Sequence, residues 1–172
     1  MYLPTIVTLT LSSLAVSTAL PTTSSSPMSF TGKGQLRTLW SDGDHTDLGC
    51  ITDAGLWTGN NTLCGTFTGT PTSNSNLRTF NLTSAAGPCR IWGSTFICEQ
   101  WNGGYPSIYE FGIWPYPNSI PGVDCLRWSK YGMMGNPEGN PTGPEDSPRE
   151  IRLLSYIEKP KWVWLTWESL EN

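Results

Sequence analysis

From Phe30 to the end of the chain, short runs rich in Thr, Ile, Val and aromatic residues alternate with clusters of Gly, Asn, Pro and Ser. This punctuation is the signature of many short strands and few helices, because β-branched and aromatic side chains suit a pleated surface while the intervening residues suit turns. The chain therefore predicts an all-β fold, a single antiparallel β-sandwich or barrel-like domain. Arg37 to Trp40 and Gly49 to Thr52 flank a turn through Ser41-Asp42-Gly43-Asp44, where Asp-Gly favours a tight hairpin. Ile91 and Phe96 lie on the arms of a second hairpin with Gly93-Ser94 at its tip. Ser147-Pro148-Arg149-Glu150 resembles a helix-capping box, but Ile151, Leu153 and Ile157 alternate with Glu150, Arg152 and Glu158 at a period of two, which favours a strand. That strand and Lys161 to Glu168 are expected to pair as a final hairpin across Lys159-Pro160, and Tyr131 to Pro144 is read as a long loop.

Ahead of this region, Met1 to Ala19 contains an apolar run from Ile6 that ends in Ser17-Thr18-Ala19, small residues of the kind signal peptidase accepts. The run is too short and too polar for a membrane span, so residues 1–19 read as a secretory signal, without the basic residues of a typical leader. Residues 20–29, with Pro21-Thr-Thr-Ser-Ser-Ser-Pro27, have the composition of a flexible Ser/Thr/Pro linker. Residues 30–172, about 140 positions, are the size of one domain with its own core, expected to stand behind the signal with no catalytic domain before it. A secreted location places the five cysteines in an oxidising setting, where cross-links outrank metal ligation or nucleophilic roles. The sequons at Asn60-Asn61-Thr62 and Asn81-Leu82-Thr83 suit glycosylated surface loops. A formal net charge of -4 and the lack of any basic run argue against a nucleic-acid partner, because phosphate binding needs clustered Lys and Arg.

Four stretches follow one another in an informative order: Gly32-Lys-Gly34-Gln-Leu36, Gly49-Cys50-Ile51-Thr52-Asp53-Ala54-Gly55-Leu56-Trp57, Leu63-Cys64-Gly65-Thr66-Phe67-Thr68, and the loop from Cys89 to Cys98. In this order and spacing the chain resembles the non-catalytic C-terminal domain found after the catalytic domain in fungal ribonuclease T(2)-like proteins. The resemblance covers about half of the chain; beyond Glu99 it rests mainly on a terminal strand, Val163 to Glu168. It implies the disulfides Cys50 to Cys64 and Cys89 to Cys98, which leaves Cys125 over, either as a small buried apolar residue in a strand or as the donor of an intermolecular bridge. The family domain transfers a fold more readily than an activity.

Ribonuclease chemistry of that family needs histidines as general acid and base, and this chain has one histidine, His45. Phe111-Gly112-Ile113-Trp114-Pro115 is similar to the family's first catalytic signature with Phe at the histidine position, and the second signature is missing. Asp42, Asp44, Asp47 and Asp53 surround His45, but their order lacks the central glycine and closing Glu of a calcium loop, so solvated turn residues are expected there and no metal site. Glu99, Glu110 and Asp124 could supply a glycosidase carboxylate pair only at a separation that sequence does not give. A Gly-x-Ser-x-Gly elbow is absent, so no catalytic residue and no cofactor is assigned.

Nine tryptophans remain to be placed. On the terminal strand Trp162, Trp164 and Thr166 share one face while Val163, Leu165 and Trp167 share the other. Because a single sandwich covers one face of a strand, Trp162 and Trp164 are assigned to a partly exposed platform for a flat ligand. Asn102-Gly-Gly-Tyr105 and Trp114-Pro-Tyr116-Pro117 add aromatics in loops. The expected function is that of a secreted, non-catalytic β module that binds extracellular or cell-wall carbohydrate and, once the signal is removed, makes no membrane contact. The rival readings are an extracellular hydrolase with a carboxylate site and a secreted effector or structural protein acting through a protein interface.

Overall fold

The structure, a computed structural model, describes residues 30–41, 46–72, 78–101, 110–115, 123–128, 132–141, 143–153 and 162–171. The signal segment and linker, the Asp42-Gly43 turn and His45 lie outside the described residues. Thirteen strands follow in order: β1 Gly32–Trp40, β2 Asp47–Ile51, β3 Leu56–Thr58, β4 Phe67–Pro71, β5 Thr79–Ser84, β6 Gly87–Trp92, β7 Thr95–Cys98, β8 Phe111–Pro115, β9 Asp124–Arg127, β10 Met133–Gly135, β11 Arg149–Glu150, β12 Arg152–Leu153 and β13 Trp162–Ser169. A single 3₁₀ turn, Asn61–Leu63, is the only helical element among the described residues. The domain is all-β.

Every pairing is antiparallel, and the sheet closes on itself as an eight-stranded barrel in the order β1, β4, β5, β6, β7, β12, β10, β13 and back to β1. β13 makes the closure. Its register with β1 runs from Gly34 opposite Ser169 to Trp40 opposite Val163. β8 and β9 span separately from β5 to β13. β2, β3 and β11 extend from β1 as a flap. Residues 149–153 fasten that flap to the barrel: Arg149 and Glu150 pair with β3, Arg152 pairs with Thr95 of β7, and Ile151 between them is fully buried. Of the strand expected over Glu150 to Glu158, the described part is extended as the two short strands β11 and β12, and residues 154–158 lie outside the described residues.

Inward-facing positions fill the barrel with rings. Trp167 packs on Phe30, Phe30 stacks on Phe80 with centroids 4.9 Å apart, Phe80 meets Phe111, and Phe111 meets Phe96 at 5.7 Å. All four phenylalanines are fully buried and share one core with Leu36, Trp57, Phe67 and Leu165. Offset and tilted ring contacts of this kind add to the transfer of apolar surface from water. The Gly-x-Gly-x-Leu stretch has a direct packing role, since a Cβ at Gly34 would overlap the indole of Trp167.

Disulfides join Cys50 to Cys64 and Cys89 to Cys98. Cys89 and Cys98 are register partners at the open end of the β6–β7 hairpin, whose tip is Gly93-Ser94, with Gly93 at φ 64°. Cys125 is free and buried in β9.

Two expectations need correction. β13 pairs with β1, β10 and β9 and with neither β11 nor β12, so the described residues form no final hairpin. Within the expected loop 131–144 lies β10, with Met134 opposite Val163 and Leu153. The ladder there is a backbone interaction in which Gly135 takes part as readily as any residue, so turn composition concealed it.

Burial, followed by the neighbouring Asp124 charge, pushes the Cys125 thiol from its ordinary 9.0 up to about 12. The folded state thus keeps a proton that the unfolded chain releases above its own pKa. Stability from this group is complete below about pH 9 and declines by about 1.4 kcal/mol per pH unit from there until the folded pKa is reached. Urea unfolding at about pH 8 and about pH 10 should show roughly 1 kcal/mol more loss in the wild type than in Cys125→Ala. Equal losses in the two proteins would contradict this environment for Cys125.

Candidate binding surface

Side chains alternate along β6, so Gly87, Cys89 and Ile91 face the barrel interior while Pro88, Arg90 and Trp92 face outward. Pro88 and Trp92 are exposed accordingly, yet Arg90 is only 4% exposed. Two indoles account for this. The Arg90 guanidinium carbon lies 4.3 Å from the ring centroid of Trp101 and 5.7 Å from that of Trp92, within cation–π range of both. The two indoles meet at 5.8 Å with their planes tilted by 44°. They cover Arg90 while remaining open themselves, Trp92 at 58% and Trp101 at 42% exposed.

Arg90 also holds the carboxylate of Glu99 in a close ion pair. The partners differ in access, since the Arg90 side chain is almost wholly buried and that of Glu99 is half exposed. Its Nε is buried with no hydrogen-bond partner, so ring contact and Glu99 stand in for the water that the guanidinium has lost. The outer side of the β6–β7 hairpin thus carries two open indoles and one accessible carboxylate on a fixed cation. The disulfide Cys89–Cys98 lies at the base of the same hairpin and restrains it.

The terminal-strand platform does not survive intact. Trp162 and Trp164 do share a face opposite Val163 and Leu165, but Trp164 is only 4% exposed. It packs with Cys125, Leu39 and Val123 in a small cluster outside the main core, with Leu39 its register partner on β1. Both faces of β13 are therefore covered at Trp164, where Cys125 of the adjacent strand β9, Leu39 of β1 and Val123 pack around the indole. Trp162 is half-buried.

Other sequence candidates are dispersed. Asp47 is tied to Arg37 at 2.6 Å and accepts from the Gly49 amide; Asp53 accepts from the Thr66 amide. They serve turns, and no cluster of metal-ligating side chains occurs among the described residues. Phe111, which opens the Phe111-Gly112-Ile113-Trp114-Pro115 stretch, is a core residue of β8. Asp124 is paired with Arg78 at 2.8 Å and Glu99 with Arg90, while Glu110 is exposed. A cleft of about 620 Å³ is lined by Glu138 and Glu150 with Arg149 and Arg152, and a polar one of about 420 Å³ by Arg37, Asp47 and Asn61; none of the three candidate hydrolase carboxylates lines either. Asn60 caps the 3₁₀ turn, its Oδ1 accepting from the Thr62 amide and hydroxyl at 3.0 and 2.7 Å, whereas Asn81 lies within β5. Tyr105, Tyr116 and the side chain of Trp114 lie outside the described residues.

Among known families, the one described as RNase T2-like C-terminal domain matches residues 28–111. The chain carries an RNase T2-like C-terminal domain. Comparison with curated proteins and with solved structures finds no significant match. The matched part of this RNase T2-like domain includes both disulfides, the β6–β7 hairpin and the Trp92–Trp101 surface, and it stops short of β9, β10 and β13.

Trp92 and Trp101 were not singled out from sequence, although parity contains a signal. If Ile91 and Phe96 face inward across the hairpin, Arg90 and Trp92 must face outward, beside a tight tip that cannot cover them. What parity omits is Trp101, which follows β7 and returns over Arg90.

The two kinds of tryptophan should separate in a stability experiment. Trp164→Ala should cost about 3 to 5 kcal/mol in urea unfolding, as expected for emptying a packed aromatic site, and Trp92→Ala about 1 kcal/mol or less. A larger cost for Trp92→Ala than for Trp164→Ala would reverse the assignment of exposed and packed residues.

Proposed function

We propose that this RNase T2-like C-terminal domain is a secreted, non-catalytic module that binds extracellular or cell-wall carbohydrate, with Trp92 and Trp101 as its contact surface. The observation that carries the reading is the exposure of two adjacent indoles on the outer face of a disulfide-tied hairpin. Leaving such surface in water is unfavourable, and large exposed aromatics rimmed by polar groups are typical of binding sites. The C–H face of a pyranose ring offers an apolar surface of matching size, and the adjoining carboxylate offers a hydrogen-bond acceptor for its hydroxyls. The tilt between the indoles suits a twisted or flexible glycan chain better than a flat crystalline surface.

A non-catalytic role agrees with the burial of Phe111 in the core, with the single histidine of the chain, and with the engagement of Glu99 and Asp124 by arginines. Secretion through residues 1–19 and glycans on Asn60 and Asn81 belong to the same proposal, as do the absence of a nucleic-acid partner and of a cofactor. The original Trp162 and Trp164 platform is replaced in this reading by the hairpin surface, because Trp164 is packed.

A glycan array probed with the secreted protein, followed by calorimetric titration of the best ligand, tests this. The wild type should bind, and Trp92→Ala and Trp101→Ala should each weaken binding by about tenfold or more, about 1.4 kcal/mol, with thermal midpoints lowered by no more than about 8 °C. A double variant that binds as the wild type does would place the site elsewhere.

A further inference from the structure

The geometry beneath the two indoles points to the class of sugar. We propose that Glu99, fixed by the buried Arg90 at the Trp92–Trp101 surface, makes this domain select neutral sugars and discriminate against uronic acids. The proposal rests on the carbohydrate reading above and refines it.

The argument turns on which member of the ion pair a ligand can reach. Had Arg90 been the open partner, the surface would attract carboxylated sugars, since a guanidinium binds carboxylate through two parallel hydrogen bonds. Instead Arg90 is closed off by the indoles and already committed to Glu99, and its side chain is 5% exposed against 52% for Glu99. A ligand stacked on Trp92 or Trp101 therefore meets an acceptor. Sugar hydroxyls donate to a carboxylate well, and an ionised carboxylate gives a stronger hydrogen bond than a neutral acceptor. A uronate would bring a second carboxylate beside the first, with Arg90 already engaged by Glu99 and out of its reach. Like-charge juxtaposition of this kind is a recognised means of excluding a partner. The net charge of the chain, -4, works in the same direction at longer range.

Arg90 is a positioning residue here. It fixes the Glu99 carboxylate next to the rings and offsets its charge, so that the acceptor remains directed at the site when no ligand is present. Such preorganisation lowers the ordering cost of binding.

The test compares neutral β-glucan oligosaccharides with oligogalacturonate of similar length by calorimetric titration of the full secreted protein at low ionic strength. The wild type should bind the neutral series at least about tenfold more tightly, a gap of about 1.4 kcal/mol. Added salt should narrow the gap by screening the repulsion. Glu99→Gln keeps the shape and one acceptor but removes the charge. It should weaken the neutral ligand a few-fold and strengthen oligogalacturonate, so that the selectivity shrinks or inverts.

Wild-type binding of oligogalacturonate as tight as that of the neutral series, abolished by Trp92→Ala, would overturn the selectivity while leaving the carbohydrate reading in place. Unchanged selectivity in a folded Glu99→Gln would also overturn the role of Glu99. Failure of both probe classes and of a broad glycan array would remove the selectivity and the underlying reading together. The wild-type comparison needs no variant, so it decides even if Glu99→Gln folds poorly.

Discussion

The ladder between β1 and β13 is the interaction on which the rest of this domain depends. One strand opens the described domain and the other ends it, yet they pair from Gly34 opposite Ser169 to Trp40 opposite Val163. Bringing the ends of a long chain together costs entropy that grows slowly with length, so the contact has to be reinforced over many residues. The reinforcement is visible on both sides. Val163, Leu165 and Trp167 enter the main core, where Trp167 occupies the space above Gly34 and touches Phe30, while Trp164 packs outward on Leu39 and Cys125. The same strand receives β10 at Trp162 to Trp164 and β9 at Thr166. Closure removes the free edges that a half-finished sheet would present to other chains. It also means that the segment matching the RNase T2-like C-terminal domain, residues 28–111, obtains its barrel from strands that follow it.

A closed barrel divides side chains into two populations, and this division positions the candidate surface. Inward positions are occupied by rings and aliphatic groups in one core; outward positions meet solvent or neighbouring outward side chains. On β13 the outward tryptophan Trp164 is buried by side chains of its neighbours, Leu39 of β1 and Cys125 of β9, together with Val123. On β6 the outward positions carry Arg90 and Trp92, and Trp101 is the neighbour that covers the cation while itself 42% exposed. A buried guanidinium with one unsatisfied nitrogen is costly to maintain, and the ring contacts and the Glu99 pair offset that cost. The arrangement makes chemical sense as a rigid support for an exposed aromatic and carboxylate surface.

Much of the fold could be read in the sequence, and the reasons are local. Period-two alternation read Glu150 to Glu158 as extended, which holds for β11 and β12 in its described part, and the Gly93-Ser94 tip identified the β6–β7 hairpin, because in both cases the signal lies within a few residues of the structure it specifies. Partner choice was not local. Nothing in Trp162 to Ser169 states that its neighbours are β1, β10 and β9, and a hairpin with the preceding strand was the simpler expectation. β10 was hidden among Gly, Asn and Pro because its three residues contribute backbone hydrogen bonds more than patterned side chains. The site failed for a related reason. Alternation placed Trp162 and Trp164 on one face correctly, but exposure depends on what another part of the chain lays over that face. For Trp164 that cover is Leu39, Val123 and Cys125, whereas Trp92, beside Arg90 and Trp101, stays 58% exposed, although alternation alone treats the two residues alike.

Native-state amide hydrogen exchange tests most directly whether the barrel is closed by the β1–β13 ladder. The amides of residues 34–40 and 163–169 that are bonded across the ladder should exchange together, only through global unfolding, with the opening free energy measured by denaturant. Exchange of the 163–169 amides at a markedly lower free energy, with those of β4, β5 and β6 still protected, would show that the barrel persists without β13 and would contradict the account.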